Sequence, residues 1–398
     1  LPAPNDTALQ HSRAVKDLIK AEIARAGGWI SFEHYMRLAM YAPGMGYYSG
    51  GAAKFGEEGD FVTAPQISSF YGRAVARQAA QVLGLEDNSD VLEFGAGTGK
   101  LALDLLLELE KLDRLPGRYF ILEVSAELRQ RQQGLFERRV PHLAARVVWL
   151  TQLPEQFNGL ILANEVLDAM PVHLVRWDGG GLFERGVVTD ADEFKWSDRP
   201  LAQGELFEAA RDLQPLTDPE MGGLGSYGSR PCGSGYISEI NLTTRHFMLA
   251  LSGILKQGAI LLIDYGFGRN EYYHPQRDRG TLMCHYRHHA HDDPFYLPGL
   301  QDITSHVDFS AIAVAAQQAG LDLLGYTSQA HFLINCGITE FLAQIPPENV
   351  TDYLPLANQV QKLLSPAEMG ELFKVIAFGR NVSASLTGFS TGDQSRRL

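Results

Sequence analysis

Three glycines at alternate positions, Gly95, Gly97 and Gly99, stand directly after Val91-Leu92-Glu93-Phe94, and a helical pattern follows over residues 100–110. Glycine admits positive φ and puts no side chain in the way. A strand-to-helix turn of this composition can therefore bring backbone amides and the positive end of a helix against a polar ligand. The spacing chooses among ligands. A dinucleotide fingerprint beginning at Gly95 needs its third glycine at position 100, where Lys100 stands. A phosphate-binding P-loop needs Ser or Thr after Gly-Lys, and Leu101 follows Lys100. Further along, the apolar run Tyr119-Phe120-Ile121-Leu122 ends in Glu123, with Val124 next to it. An acid at the end of a second strand is where α/β nucleotide sites accept hydrogen bonds from ribose hydroxyls.

The run acidic-x-Gly-x-Gly-x-Gly resembles the first motif of class I S-adenosylmethionine (SAM) methyltransferases. Apolar runs at 146–150 and 160–163, the second ending in Asn164-Glu165, continue a strand–helix–strand pattern. That pattern predicts an α/β fold whose parallel sheet is covered on both faces. Ligands of such sheets lie beyond the carboxyl ends of the strands, where Glu93, Glu123 and Asn164 are expected. The resemblance implies a Rossmann-like, mainly parallel seven-stranded sheet and SAM as the cofactor. On this reading Asp60, Thr63, Glu93, Gly95, Ala96, Gly97, Gly99, Glu123, Val124 and Asn164 line the cofactor. Asp60 and Thr63 have an alternative role, as hydrogen-bonding residues within their own loop.

Longer segments extend the likeness. Gly59-Asp60-Phe61-Val62-Thr63-Ala64-Pro65, the turn 93–99, Asn164-Glu165-Val166-Leu167-Asp168-Ala169-Met170-Pro171, Asp264-Tyr265-Gly266 and Asp302-Ile303-Thr304-Ser305-His306-Val307-Asp308-Phe309 resemble the MidA family of SAM-dependent methyltransferases. The similarity runs from about residue 15 to the C-terminus. Mitochondrial members of that family are associated with arginine methylation of a respiratory complex I subunit during assembly. The resemblance thus implies a protein substrate, of the complex I-subunit type if the mitochondrial role is shared, and protein-arginine N-methylation. The alternative it leaves open is a SAM-binding assembly chaperone without turnover. It implies the mitochondrial matrix for a eukaryotic chain and the cytoplasm for a bacterial one. One departure is Gln66, where the family pattern usually carries Glu.

An arginine acceptor sets its own requirements. The guanidinium repels the sulfonium of SAM and has no free lone pair. Carboxylates offset the repulsion, orient the guanidinium by bidentate contacts and take up the released proton. Candidates are Glu165 and Asp168 after the fourth strand, Glu239 in Tyr236-Ile237-Ser238-Glu239-Ile240, and Asp264, with His306 as a proton acceptor. Each has a plainer role available: a helix cap for Asp168, a turn for Asp264, a surface position for Glu239 and a helix start for His306. Asn164-Glu165 also departs from the Asn-Pro-Pro-aromatic turn that holds neutral exocyclic amines, which favours a cationic acceptor.

The elements that must position these residues divide the chain into an N-terminal helical and loop lid at 1–85 and a methyltransferase core at 86–398. A hairpin and loop insertion is expected at about 172–235. Strands are expected at 259–263, 321–327 and 373–378, and helices at 242–255, 307–319 and within 329–364. Tyr41, Tyr47, Tyr48 and Phe61 read as core packing rather than a substrate cage. At 398 residues with a net charge of −13, the chain can bury a large core, and a nucleic-acid partner is not expected. Cys232, Cys284 and Cys336 form no CxxC pair. His285, His288, His289 and His291 lack metal-ligand spacing and read as a polar loop. No bilayer-spanning helix or signal-peptide core is expected, and the oligomeric state is left open.

Overall fold

A computed structural model of the protein describes residues 1–50, 63–85, 88–179, 181–217 and 235–398. They form two compact units, interleaved in sequence.

One unit comprises residues 63–167, 247–266 and 309–398. Its strands are β1 (Asp90–Phe94), β2 (Tyr119–Leu122), β3 (Val147–Leu150), β4 (Phe157–Asn164), β5 (Leu255–Phe267), β6 (Asp322–Ser328) and β7 (Phe373–Arg380). They lie in the order β6-β7-β5-β4-β1-β2-β3. Neighbours from β5 to β3 are parallel, and β7 runs antiparallel to both β5 and β6. Central strands are buried almost end to end, as in Leu160–Ala163 of β4 and Ala259–Ile263 of β5. Both faces are therefore covered, which is why these strands are continuous apolar runs rather than alternating ones. Helices α1 (Ser69–Leu83), α2 (Lys100–Lys111) and α3 (Ala126–Arg139) belong to this unit. Phe70, Tyr71, Val75, Ala79 and Val82 of α1 share one core with Leu101, Leu105 and Leu109 of α2.

The register aligns the strand ends. Phe94 lies opposite Leu122 on one side and Ala163 on the other, and Asn164 lies opposite Ile263. Gly95, Glu123 and Glu165 directly follow their strands, and Asn164 and Asp264 lie at the same level within β4 and β5, so all five gather at one edge of the sheet.

The other unit comprises residues 1–50, 168–246 and 267–308. Helix Asp6–Arg25, capped by Asn5, buries Val15, Ile19 and Ile23, and helix Phe32–Tyr41 is capped by Ser31. An antiparallel sheet joins Ile30–Ser31, Gly181–Asp190, His173–Asp178 and Tyr236–Ile240, with Glu193–Pro200 beside Gly181–Asp190. Helix Glu205–Thr217, absent from the sequence reading, follows. Among the described residues no helix is long and apolar enough to cross a membrane.

Several boundaries differ from expectation. Residues 63–85 belong with the mainly parallel sheet rather than with the N-terminal helices, because the apolar face of α1 is buried against α2. The inserted region does not end at 235 but takes in strand Tyr236–Ile240 and residues 267–308. The expected helix 307–319 begins as strand Val307–Asp308 and becomes helical at Phe309–Gln318. The histidine tract is a hairpin, Met283–Tyr286 with His289–His291, not a loop. Its turn residues Arg287 and His288 take φ of 48° and 63°, the left-handed geometry of tight hairpin turns.

Candidate cofactor and active site

After β1 the chain turns through Gly95, Gly97 and Gly99 at φ of 61°, 54° and 81°, and Gly99 caps α2. Side chains with a Cβ are strained in this region, so the alternating glycines permit the turn. A Cβ at Gly99 would meet Gln132 at 3.2 Å. Ala96 is buried. Glu93, at the end of β1, is 2% exposed and accepts from the Tyr119 hydroxyl at 2.8 Å. Burial, helped by the nearby Glu123 charge, pushes its pKa up to about 7 against the opposing Tyr119 hydrogen bond.

Glu123 is buried and its pKa is raised, again by burial. Its Oε1 accepts from the Ser125 amide at 2.9 Å and its Oε2 from Gln132 Nε2 at 3.2 Å. The same Nε2 donates to the Gly97 carbonyl at 2.8 Å, while Gln132 Oε1 accepts from Trp149 Nε1 at 2.8 Å. Gln132, Tyr119 and Trp149 were not singled out from sequence. No local spacing marks Gln132, because its partners Glu123 and Gly97 lie outside its helix. Val124, beside this carboxylate, is 68% exposed, a large open apolar side chain next to a polar one.

Asn164, the last residue of β4, and Glu165 just beyond it are half-buried. The Tyr71 hydroxyl donates to Asn164 Oδ1, and Asn164 Nδ2 donates to Glu165 Oε1 at 3.1 Å. The Ala64 amide donates to the same Oε1 at 3.3 Å. Glu165 takes φ of 53°, uncommon for a residue with a Cβ. Asp264 is fully buried, and its Oδ2 accepts from the amides of Val166 at 3.1 Å and Leu167 at 2.9 Å. Its carboxylate therefore builds the turn after β4, whereas the Asp-Tyr-Gly turn expected at Asp264 itself is continuous strand through Phe267. Thr63 precedes the short helix Ala64–Ile67 without a side-chain cap bond. Asp60 and Phe61 lie outside the described residues, as does Cys232.

The remaining candidates belong to the other unit. Glu239 is 1% exposed, not a surface residue, and lies within strand Tyr236–Ile240. Its Oε1 accepts from the amides of Thr281 and Leu282, each at 2.9 Å. Its Oε2 accepts from Tyr272 at 3.1 Å, Thr281 Oγ1 at 3.2 Å and Ser238 at 3.4 Å. Five internal donors thus surround the carboxylate, which gives Glu239 a structural role within its unit. Asp168 is buried in a turn rather than capping a helix, and its carbonyl accepts from the Ser305 amide at 2.9 Å. His306 stacks flat on Phe267, 5.2 Å between centroids, and starts no helix. Burial, with the Arg277 charge, pushes its pKa down to about 4, so the ring is neutral near pH 7. Tyr41 and Tyr48 stack at 5.5 Å, with hydroxyls bonded to the Ala169 carbonyl and the Asp302 carboxylate. Among the described residues no group of three His, Cys, Asp or Glu is placed to hold a metal ion.

The glycine turn and the two buried carboxylates suit a ligand that brings both positive charge and hydroxyl donors, and SAM brings both. A mainly parallel sheet in the order β3-β2-β1-β4-β5-β7-β6, with β7 reversed, carries this turn after β1 and the acid after β2. The fold and site define a class I SAM-dependent methyltransferase. Residues 74–327 match the family described as "Putative S-adenosyl-L-methionine-dependent methyltransferase", and the chain belongs to that family. It is 51% identical to a Burkholderia thailandensis protein whose crystal structure holds S-adenosyl-homocysteine, with a TM-score of 0.91 and 100% of both chains covered. It is also 28% identical to the Drosophila melanogaster "Protein arginine methyltransferase NDUFAF7 homolog, mitochondrial", over 94% of this chain and 86% of the relative. The Bos taurus "Protein arginine methyltransferase NDUFAF7, mitochondrial" is 28% identical over 94% of this chain and 85% of its own length.

Proposed function

We propose that the protein methylates an arginine side chain of a protein substrate. The observation that carries the reading is Glu165. It is a carboxylate held in a left-handed conformation at the ligand edge of the sheet, with Ala64 and Asn164 donating to one of its oxygens. The names of the Drosophila and bovine relatives supply the substrate class. In this reading Gly95, Ala96, Gly97, Gly99, Glu93, Glu123 and Val124 hold SAM, with Thr63 and Asp60 at its margin. Bound SAM supplies an electrophilic methyl group on a sulfonium. Glu165 counters the charge of the incoming guanidinium, orients it by paired hydrogen bonds and accepts the proton it releases. The finer proposal is a complex I-type subunit as substrate, in the mitochondrial matrix for a eukaryotic chain and in the cytoplasm for a bacterial one.

The test is transfer of labelled methyl from SAM into a protein extract of cells lacking this enzyme, followed by mass spectrometry of the labelled protein. Methylarginine is the expected product. Label on lysine or nucleic acid overturns the arginine reading, and SAM binding with no transfer overturns turnover.

A further inference from the structure

Tyr71, Asn164 and Glu165 form a chain of hydrogen bonds at the end of β4. Tyr71 is fully buried in the first turn of α1, and its hydroxyl donates to Asn164 Oδ1. Asn164 Nδ2 then donates to Glu165 Oε1 at 3.1 Å. An amide side chain has one accepting and one donating end, and which end faces a carboxylate depends on its other partners. The carboxylate can only accept, so it takes the donating Nδ2 end, and the phenol, which can donate or accept, donates to the Oδ1 left facing it. The rest of Glu165 is fixed with equal care. Its own amide donates to the Ile263 carbonyl at 2.9 Å, and Asp264 anchors the two amides that follow. A residue with a Cβ in left-handed geometry persists where its surroundings over-determine it, and such sites cluster where function needs a fixed group.

We infer that Tyr71 and Asn164 are positioning residues for Glu165, holding its carboxylate in the one orientation that receives a cationic acceptor, and that Asn164 serves the acceptor rather than the cofactor. The inference rests on the proposed role of Glu165. It adds a residue from α1, Tyr71, and moves Asn164 from one ligand to the other.

The experiment combines Tyr71→Phe and Asn164→Ala, each alone and in a Glu165→Gln background. SAM affinity is measured by calorimetry, folding by thermal melting, and methyl transfer with the extract acceptor described above. Tyr71→Phe keeps ring and volume, so the fold and SAM affinity are expected to hold within about twofold, while transfer falls about 10-fold. In the Glu165→Gln background neither substitution is expected to lower transfer further, because the group they position is already altered. A purely structural Tyr71 would instead lower the melting temperature and show the same loss in both backgrounds. Wild-type transfer in Tyr71→Phe, an equal loss in both backgrounds, or a tenfold loss of SAM affinity in Asn164→Ala overturns the inference. If Glu165→Gln alone retains full transfer, it is the acceptor reading itself that fails.

Discussion

The side-chain amide of Gln132 donates to the carbonyl of Gly97 at 2.8 Å, from a residue that is fully buried. The same nitrogen reaches Glu123 at 3.2 Å, so one side chain ties the glycine turn after β1 to the carboxylate after β2. The two halves of the proposed cofactor site are therefore not independent. Gln132→Glu replaces the shared donor with a carboxylate facing another carboxylate. We expect it to weaken SAM binding at least tenfold, about 1.4 kcal/mol, by calorimetry. Unchanged affinity would show that the link is only packing.

Gly97 tests the turn itself. At φ of 54° a β-branched side chain is strained and also occupies the space the backbone needs to approach a ligand. Gly97→Val is expected to abolish measurable SAM binding while circular dichroism shows the sheet intact. Tight SAM binding by a folded Gly97→Val protein would remove the turn from the cofactor site.

Glu93 makes stability depend on pH. Its folded pKa, about 7, lies above its ordinary value of 4.5, so between these values the folded state holds more protons than the unfolded one. Stability therefore falls as pH rises through that window, and the loss is complete above about pH 7. In cofactor-free protein Glu93→Gln should raise stability at pH 8 by up to about 3 kcal/mol and change it little at pH 5. Denaturant melts at the two pH values check this, and an equal difference at both would refute the burial argument.

Glu239 illustrates what sequence could and could not show. Its place in a strand ahead of a helix was readable, but the hydrogen bonds from Thr281 and Leu282 were not, because they come from residues about forty positions away. The order of apolar runs and the glycine spacing carried the parallel sheet and the tight turn after β1, since both are local patterns. The strand-end acids were legible for the same reason. What stayed hidden depends on tertiary partners: Gln132 behind Glu123, Tyr71 behind Asn164, and the membership of α1 in the core. Helix Glu205–Thr217, with an acidic first turn, stands inside the segment expected as hairpin and loop. Glu239→Ala strips an acceptor from two buried amides and is expected to destabilise its unit by at least about 3 kcal/mol. Denaturant unfolding checks it, and a stable variant would return Glu239 to the list of substrate-binding candidates.

Glu165→Gln tests the chemistry most directly. The substitution keeps the shape and the capacity to accept from Ala64, so the left-handed turn held by Asp264 should remain. It removes the negative charge that offsets the repulsion between sulfonium and guanidinium, and it leaves the released proton without its acceptor. SAM affinity should therefore stay within a few fold, because the glycine turn and Glu123 are untouched. Transfer to protein arginine should fall at least ~100-fold, the lower range for losing a positioned electrostatic or acid–base group. Glu165→Ala should be no more active than Glu165→Gln if charge rather than bulk is the contribution. Glu165→Asp, which keeps the charge on a shorter stem, should recover part of the rate. Full activity in Glu165→Gln would exclude the carboxylate from the reaction and leave the SAM site standing.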